Sequence, residues 1–172
     1  MIYPANFETR IGFDVVRQEV EKRCISTLGV TYCQKMQFSS QFDEVKAWLS
    51  QTNEFLAILQ SKQEFPLNYF FDLRVPLKTI STPGSYISAE NLFDLQRSLN
   101  TISDIIKFFR FDEEGNTPYP YLRRLTDGML SFPEIVSEAN RILDKFGNVK
   151  DNASPLLREL RSTIASTTAS IN

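Results

Sequence analysis

The sequence predicts an all-α fold, an irregular multi-helix core, and two observations carry that reading. Apolar residues recur at three- and four-residue intervals along almost the whole chain, the spacing of helices with one buried face. Between those stretches lie short breaks rich in Ser, Thr, Gly and Pro, several with the form of a helix start. With 172 residues, 42% of them apolar, the chain has enough material for one compact domain, or one domain and an appendage.

The first helix is expected over Phe13 to Arg23, where Phe13, Val16, Val20 and Cys24 share a face. Ser26-Thr27-Leu28-Gly29 interrupts it, and a short helix follows through Met36. Ser39 and Ser40 offer capping oxygens to a third helix beginning near Phe42, with Asp43 and Glu44 at the positive end of its dipole. Val45, Leu49, Leu56 and Leu59 are expected to form its buried face, widened by Trp48, Phe55 and Ile58. Residues 63–68, around Pro66, read as a loop leading to Tyr69–Arg74, in which Asp72 and Arg74 suit a structural ion pair. A short helix over Val75 to Ile80 ends at the Thr82-Pro83-Gly84-Ser85 break.

Ser88 then caps the most regular helix, with Glu90 in its first turn. Leu92, Leu95, Leu99, Ile102, Ile106 and Phe109 make a continuous seam. Packing into the chain's own core is the expectation for that stripe, and a groove for a partner is the sharper alternative. Residues 111–120 form an acidic linker with Gly115 and two prolines, followed by a helix from Tyr121 to Met129. Ser131-Phe132-Pro133-Glu134 has the form of a capping box and opens a helix through Asp144. Residues 146–151 read as a turn between short extended pieces, hairpin-like. Ser154-Pro155 starts the last helix, the serine at the cap and the proline where its missing N–H costs nothing. Its seam, Leu157, Leu160, Ile164, Thr167 and Ile171, thins into Ser, Thr and Ala with no C-terminal cap, as in a helix cut through; a frayed terminus is the bland alternative. No internal repeat is evident. The expected organisation is a helical core region over 1–131, then helix, turn and final helix over 132–172.

The residue types restrict the chemistry. There is no histidine, so the commonest general base and metal ligand are missing, and no phosphate-binding or dinucleotide-binding glycine pattern is present. Paired acids such as Asp43-Glu44 and Asp112-Glu113-Glu114 fall at a helix start and in a linker. No catalytic, cofactor-binding or metal-binding residue is assigned. Cys24 and Cys33 are expected to be reduced, buried thiols. A net charge of -2 gives no general attraction to nucleic acid. Arg141, Lys145, Lys150, Arg158 and Arg161 make a modest basic cluster, interrupted by Asp144, Asp151 and Glu159. That mixture favours an ordinary surface, with a weak phosphate contact by Arg158 and Arg161 as the alternative. Met1-Ile2-Tyr3-Pro4 has no secretory character and no apolar run is long enough to span a membrane, so a cytoplasmic protein is expected.

The segment from Ile142 to Arg161 resembles the hallmark of the MutS-II type, a DNA-repair-like ATPase family. A glycine-containing turn precedes Asp151, Ala153 and Ser154, followed by Leu157-Arg158 and Leu160-Arg161. Other stretches keep the family's order: Ile11–Val16 with Ser26–Gly29, Asp43–Lys46, Gln51–Glu54, Phe71–Arg74, Gly84 with Ile87-Ser88 and Leu92, and Tyr119–Leu122. The resemblance implies an amino-terminal, non-catalytic core piece of a larger homodimeric ATPase, with no mismatch-reading role. In such a parent, 132–172 is the base of a lever leading to a DNA clamp. ATP and Mg²⁺ bind in a downstream ATPase domain, often followed by a small nuclease domain. DNA or the ribosome is reached through the parent. A free-standing helical interaction module, using the Leu92–Phe109 seam or the final helix, is the competing reading.

Overall fold

A computed structural model describes residues 6–171. The expectation drawn from Met1–Pro4 therefore lies outside the described residues, as does the side chain of Ile171. Among the described residues there are nine α-helices, no strand, and one isolated antiparallel bridge, which is the predicted all-α class. The helices are α1 (Phe7–Arg10), α2 (Phe13–Glu21), α3 (Thr27–Gln34), α4 (Phe42–Gln60), α5 (Arg74–Ile80), α6 (Ala89–Phe108), α7 (Pro120–Leu125), α8 (Pro133–Ile142) and α9 (Pro155–Ile171).

The chain divides into two compact units, each discontinuous in sequence. One runs to Asp72 and includes Phe111–Leu125; the other takes Leu73–Arg110 and the residues from Thr126 onward. The segment 132–172 lies wholly in the second unit, together with 73–110, which the sequence analysis placed with the rest of 1–131.

In the first unit α1, α2 and α3 pack in sequence. Arg17 ties them together. Its guanidinium donates to Glu8 at 2.7 Å and to the Met36 carbonyl at 3.2 Å, and lies over the Phe13 ring. Ser26 to Gly29 is not an interruption followed by a helix but the helix start itself. Ser26 Oγ accepts the Gly29 N–H at 3.1 Å, so Thr27–Gly29 is the first turn of α3. The expected burial of both thiols holds for Cys33, whose thiol pKa desolvation pushes up, whereas Cys24 is only half-buried.

α4 corrects two expectations. Its N-cap is Gln41 and no serine caps it; Ser39 bonds Glu44 and the Gln41 N–H instead. Its covered side is not the Val45–Leu49–Leu56–Leu59 stripe. Ile58 is the one fully buried residue of the helix, with Ala47, Gln51 and Glu54 half-buried beside it, while Leu49, Leu56 and Leu59 are exposed. Glu54 explains the choice of face. Its two carboxylate oxygens accept the backbone N–H groups of Tyr121 (3.0 Å) and Leu122 (2.8 Å), at the start of α7, which packs on α4. An N-terminal helix turn presents unpaired donors, and a carboxylate from another helix satisfies two of them at once. α7 ends at Leu125 rather than Met129, where the chain turns into Gly128 at φ +83°.

In the second unit α6 packs on α8. Ser88 caps α6 as expected, accepting the Asn91 N–H at 3.2 Å. Leu99 and Phe109 are buried and Leu92, Leu95, Ile102 and Ile106 half-buried, so the α6 seam faces core and is not a free groove. Ser131 does not cap α8, whose N-cap position is Phe132 with no side-chain cap; Pro133 opens the helix. Asp72 and Arg74 are both exposed.

Glu54→Ala removes both acceptors at α7, and chemical denaturation should show a loss of about 1–2 kcal/mol. Glu54→Gln, which keeps one acceptor, should lose less. Equal stability of all three proteins would show that the cap does not hold α7.

Candidate functional site at the joint between α8 and α9

α8 does not run to Asp144. It stops at Ile142, Leu143 is extended and buried, and Leu143 pairs with Val149 in the isolated bridge. The hairpin-like element is thus real but lies earlier than 146–151, with its turn at Asp144–Asn148. Five hydrogen bonds close the turn, all on Asp144. Its Oδ1 accepts the N–H groups of Phe146 (2.8 Å) and Asn148 (2.9 Å), and its Oδ2 accepts the Asn148 side-chain amide. Its own N–H donates to the Asn148 carbonyl at 2.9 Å, and its carbonyl accepts the Gly147 N–H at 3.1 Å. These bonds, with the backbone donor of Asn148 foremost, hold the Asp144 carboxyl below the usual aspartate range.

Gly147 sits at φ +86°, where a side chain is strained, and its Cα lies against the Phe93 ring of α6. A Cβ there would meet Phe93 Cδ1 at 2.8 Å and Cγ at 2.9 Å. Phe93 is itself covered by the Arg97 guanidinium, 4.4 Å from the ring centroid. Gln96, buried on α6, donates to Asn140 Oδ1 on α8. The turn is therefore clamped to α6 at Gly147, and α8 at Asn140.

The segment from the turn to α9 is tied down by three cations. Lys150 Nζ donates to the Asn140 carbonyl at 2.6 Å and its backbone N–H to the Ile142 carbonyl at 2.9 Å, which satisfies carbonyls left open at the end of α8. Arg141 Nη1 donates to the Ala153 carbonyl at 2.8 Å. Arg161, reaching back from α9, donates to the Val149 carbonyl at 3.2 Å and to the Asp151 carboxylate. Ser154 Oγ then accepts the Leu157 N–H at 3.1 Å, and Pro155 opens α9 as expected.

Of the residues singled out in sequence, Asp151, Ala153, Ser154, Leu157 and Arg161 come together in this joint. Arg158 and Leu160 do not; Arg158 lines a shallow surface groove with Asn152, Ser154, Pro155, Glu159 and Ser162, and Leu160 is exposed. Asp144, Gly147, Lys150 and Arg141 carry the joint without belonging to the hallmark positions, and Phe93 has no sequence signal that points to it. A signal for the turn did exist. Asp112-Glu113-Glu114-Gly115-Asn116 has the same Asp-x-x-Gly-Asn pattern and closes in the same way: Asp112 Oδ1 accepts the N–H groups of Glu114 (3.0 Å) and Asn116 (2.7 Å), and Gly115 takes φ +80°.

α9 leaves the joint with every side chain from Arg158 to Ser170 exposed. Among the described residues no group of three or more Cys, Asp or Glu is placed to hold a metal ion, and no helix is long and apolar enough to cross a membrane.

No family model matches the chain. Among curated proteins it is 29% identical over 161 residues to a protein named Endonuclease MutS2 from Geobacillus sp. (strain WCH70) and 30% identical over 163 residues to that of Geobacillus kaustophilus. It is 24% identical over 153 residues to the protein of that name from Finegoldia magna. These matches cover 94%, 94% and 89% of this chain but 20%, 20% and 19% of the relatives. The chain thus spans about a fifth of the length of the curated MutS-family proteins it matches.

Two predictions follow from the joint's geometry. Gly115→Ala meets only backbone strain and should cost about 1 kcal/mol, whereas Gly147→Ala meets the Phe93 ring as well and should cost about 2–4 kcal/mol. In a Phe93→Ala background the two glycine substitutions should cost the same in denaturant titrations; an undiminished Gly147→Ala cost would remove Phe93 from the account. Because the folded pKa of Asp144 is depressed, its contribution is present above the ordinary aspartate value near ~3.9 and lost as pH falls through the folded value. The stability gap between the native chain and Asp144→Ala should therefore narrow between about pH 5 and pH 2, and a gap independent of pH contradicts the assignment.

Proposed function

We propose that this chain is the non-catalytic helical core and lever base of a larger MutS-type DNA repair or recombination-control protein, and that the α8–α9 joint transmits movement along α9. The observation that carries the reading is the contrast across the joint. On one side the turn and the segment after it are held by Asp144, Gly147 and three cations; on the other α9 is exposed from Arg158 to Ser170. A helix fixed in direction at its root and uncovered beyond it suits a rigid arm. The similarity to a fifth of the length of proteins named Endonuclease MutS2 supports the same placement.

On this reading the chemistry resides elsewhere in the parent. ATP and Mg²⁺ are bound by its ATPase domain, the nuclease for which the relatives are named is a separate region, and DNA or the ribosome is engaged through the clamp of a homodimer. Direct phosphate contact by this chain is limited to Arg158 and Arg161 on adjacent turns of α9, and it is weak, since Arg161 is already engaged by Asp151. The competing role of a free-standing interaction module through α6 loses support because Leu99 and Phe109 are buried.

The test uses the full-length protein. Gly147→Ala should reduce DNA- or ribosome-stimulated ATP turnover by about tenfold while leaving basal ATP turnover and nucleic-acid affinity within about twofold. Unchanged stimulation would falsify the transmission role. The 172-residue chain alone should bind duplex DNA only at low salt, and affinity that persists at moderate salt contradicts the assignment of the grip to the clamp.

A further inference from the structure

The two cysteines of the chain are anchored on the same helix. Cys24 Sγ donates to the Val20 carbonyl at 3.4 Å, and Cys33 Sγ lies 3.5 Å from the Arg17 carbonyl and 3.7 Å from Met36 Sδ. Arg17 and Val20 are three positions apart on α2, so their carbonyls stand one above the other on one face. Seen from α3 the placement is the same. A Cβ on Gly29 would stand 3.5 Å from Cys24 Sγ, and Gly29 precedes Cys33 on α3 by about one turn. The Cα–Cβ bonds of a helix tilt toward its N-terminus, which turns the Cys33 side chain back toward the level of Gly29. Both sulfurs therefore occupy one strip of the α2–α3 interface, about one helical turn, ~5 Å, apart. Gly29 itself is the one glycine inside a helix among the described residues, and its φ is not positive. No backbone demand keeps a side chain off it; its bare Cα leaves the Cys24 sulfur free to turn.

We propose that Cys24 and Cys33 are a disulfide-forming pair, a redox-sensitive staple between α2 and α3 that closes under hydrogen peroxide and opens under a thiol reductant. Their exposures divide the work. Cys24 is half-buried and within reach of solvent, whereas Cys33 is 5% exposed. Burial, and after it the neighbouring Cys24, push the Cys33 thiol up, so Cys33 is not the first sulfur to react. The Cys24 thiolate attacks one oxygen of the peroxide: an S–O bond forms, the O–O bond breaks, and the departing hydroxide takes the proton the thiol released and leaves as water. Cys33 then attacks the sulfur of that sulfenic acid: the S–S bond forms, the S–O bond breaks, and hydroxide leaves with the Cys33 proton as a second water. Two thiols are oxidised to one disulfide and one peroxide is reduced to two waters. The staple joins the end of α2 to α3, the pair that Arg17 also ties together. This inference is independent of the lever reading and concerns only the first unit.

The native 172-residue chain, exposed to hydrogen peroxide near neutral pH and then alkylated in denaturant, should lose both free thiols together. Its mass should fall by two hydrogens, with no covalent dimer on a non-reducing gel. The oxidised chain should melt several degrees higher than the reduced one, and dithiothreitol should reverse both changes. Cys33→Ser should leave Cys24 as a sulfenic acid that dimedone traps, with no rise in melting point. Cys24→Ser should keep Cys33 reduced under the same exposure. The mass and gel readouts of the native chain need no variant to fold. Two thiols that persist, a disulfide that forms only between chains, a gain of oxygen on Met36 with both thiols intact, or an oxidised chain that melts no higher than the reduced one overturns the proposal.

Discussion

The turn at Asp144 is the constraint on which the rest of the second unit depends. A chain leaving one helix and entering another must find partners for the open carbonyls of the first and the open N–H groups of the second. Here one carboxylate organises the reversal, one lysine takes up the end of α8, and one serine starts α9. Each is inexpensive alone. Together they fix the reversal, the end of α8 and the start of α9, which is what gives α9 a defined direction.

Glycine matters here for a different reason than flexibility. Gly147 is required both by its positive φ and by the ring of Phe93 lying against it, so the turn is locked to α6 through the smallest possible contact. The same turn at Gly115 has nothing within 4 Å of the glycine and so forms a reversal without a lock. Two identical backbone devices thus differ in role because of one aromatic residue placed 54 positions earlier in the chain.

The class of fold was legible because helical spacing and caps are local properties. Ser88 and Ser154 act as read, and Pro155 opens α9 as read. Failures came where a distant residue decided the outcome. Ser131 and Ser39 have capping sequences but other arrangements won, and the strongest apolar stripe of α4 is not the covered one, since Glu54 serves an N-terminus 67 residues away. Periodicity says that a face exists; it does not say which of two faces a neighbour takes. At the site, the hallmark residues after Asp151 were found by resemblance. Phe93 and the role of Lys150 were not, because Phe93 meets the bare backbone of Gly147 and Lys150 meets a main-chain carbonyl, contacts that no motif records.

The range of these bonds in sequence has its own consequence for assembly on a nascent chain. The bonds of Lys150, Arg141 and Arg161 in the joint reach across 10 or 12 residues. Glu54, by contrast, must wait for residues 67 and 68 positions later. Local contacts cost little chain entropy to close and form early, whereas distant ones close late. During synthesis the elbow between α8 and α9 can set as soon as its own short stretch has emerged, while α4 carries an unpaired carboxylate until the start of α7 has been made.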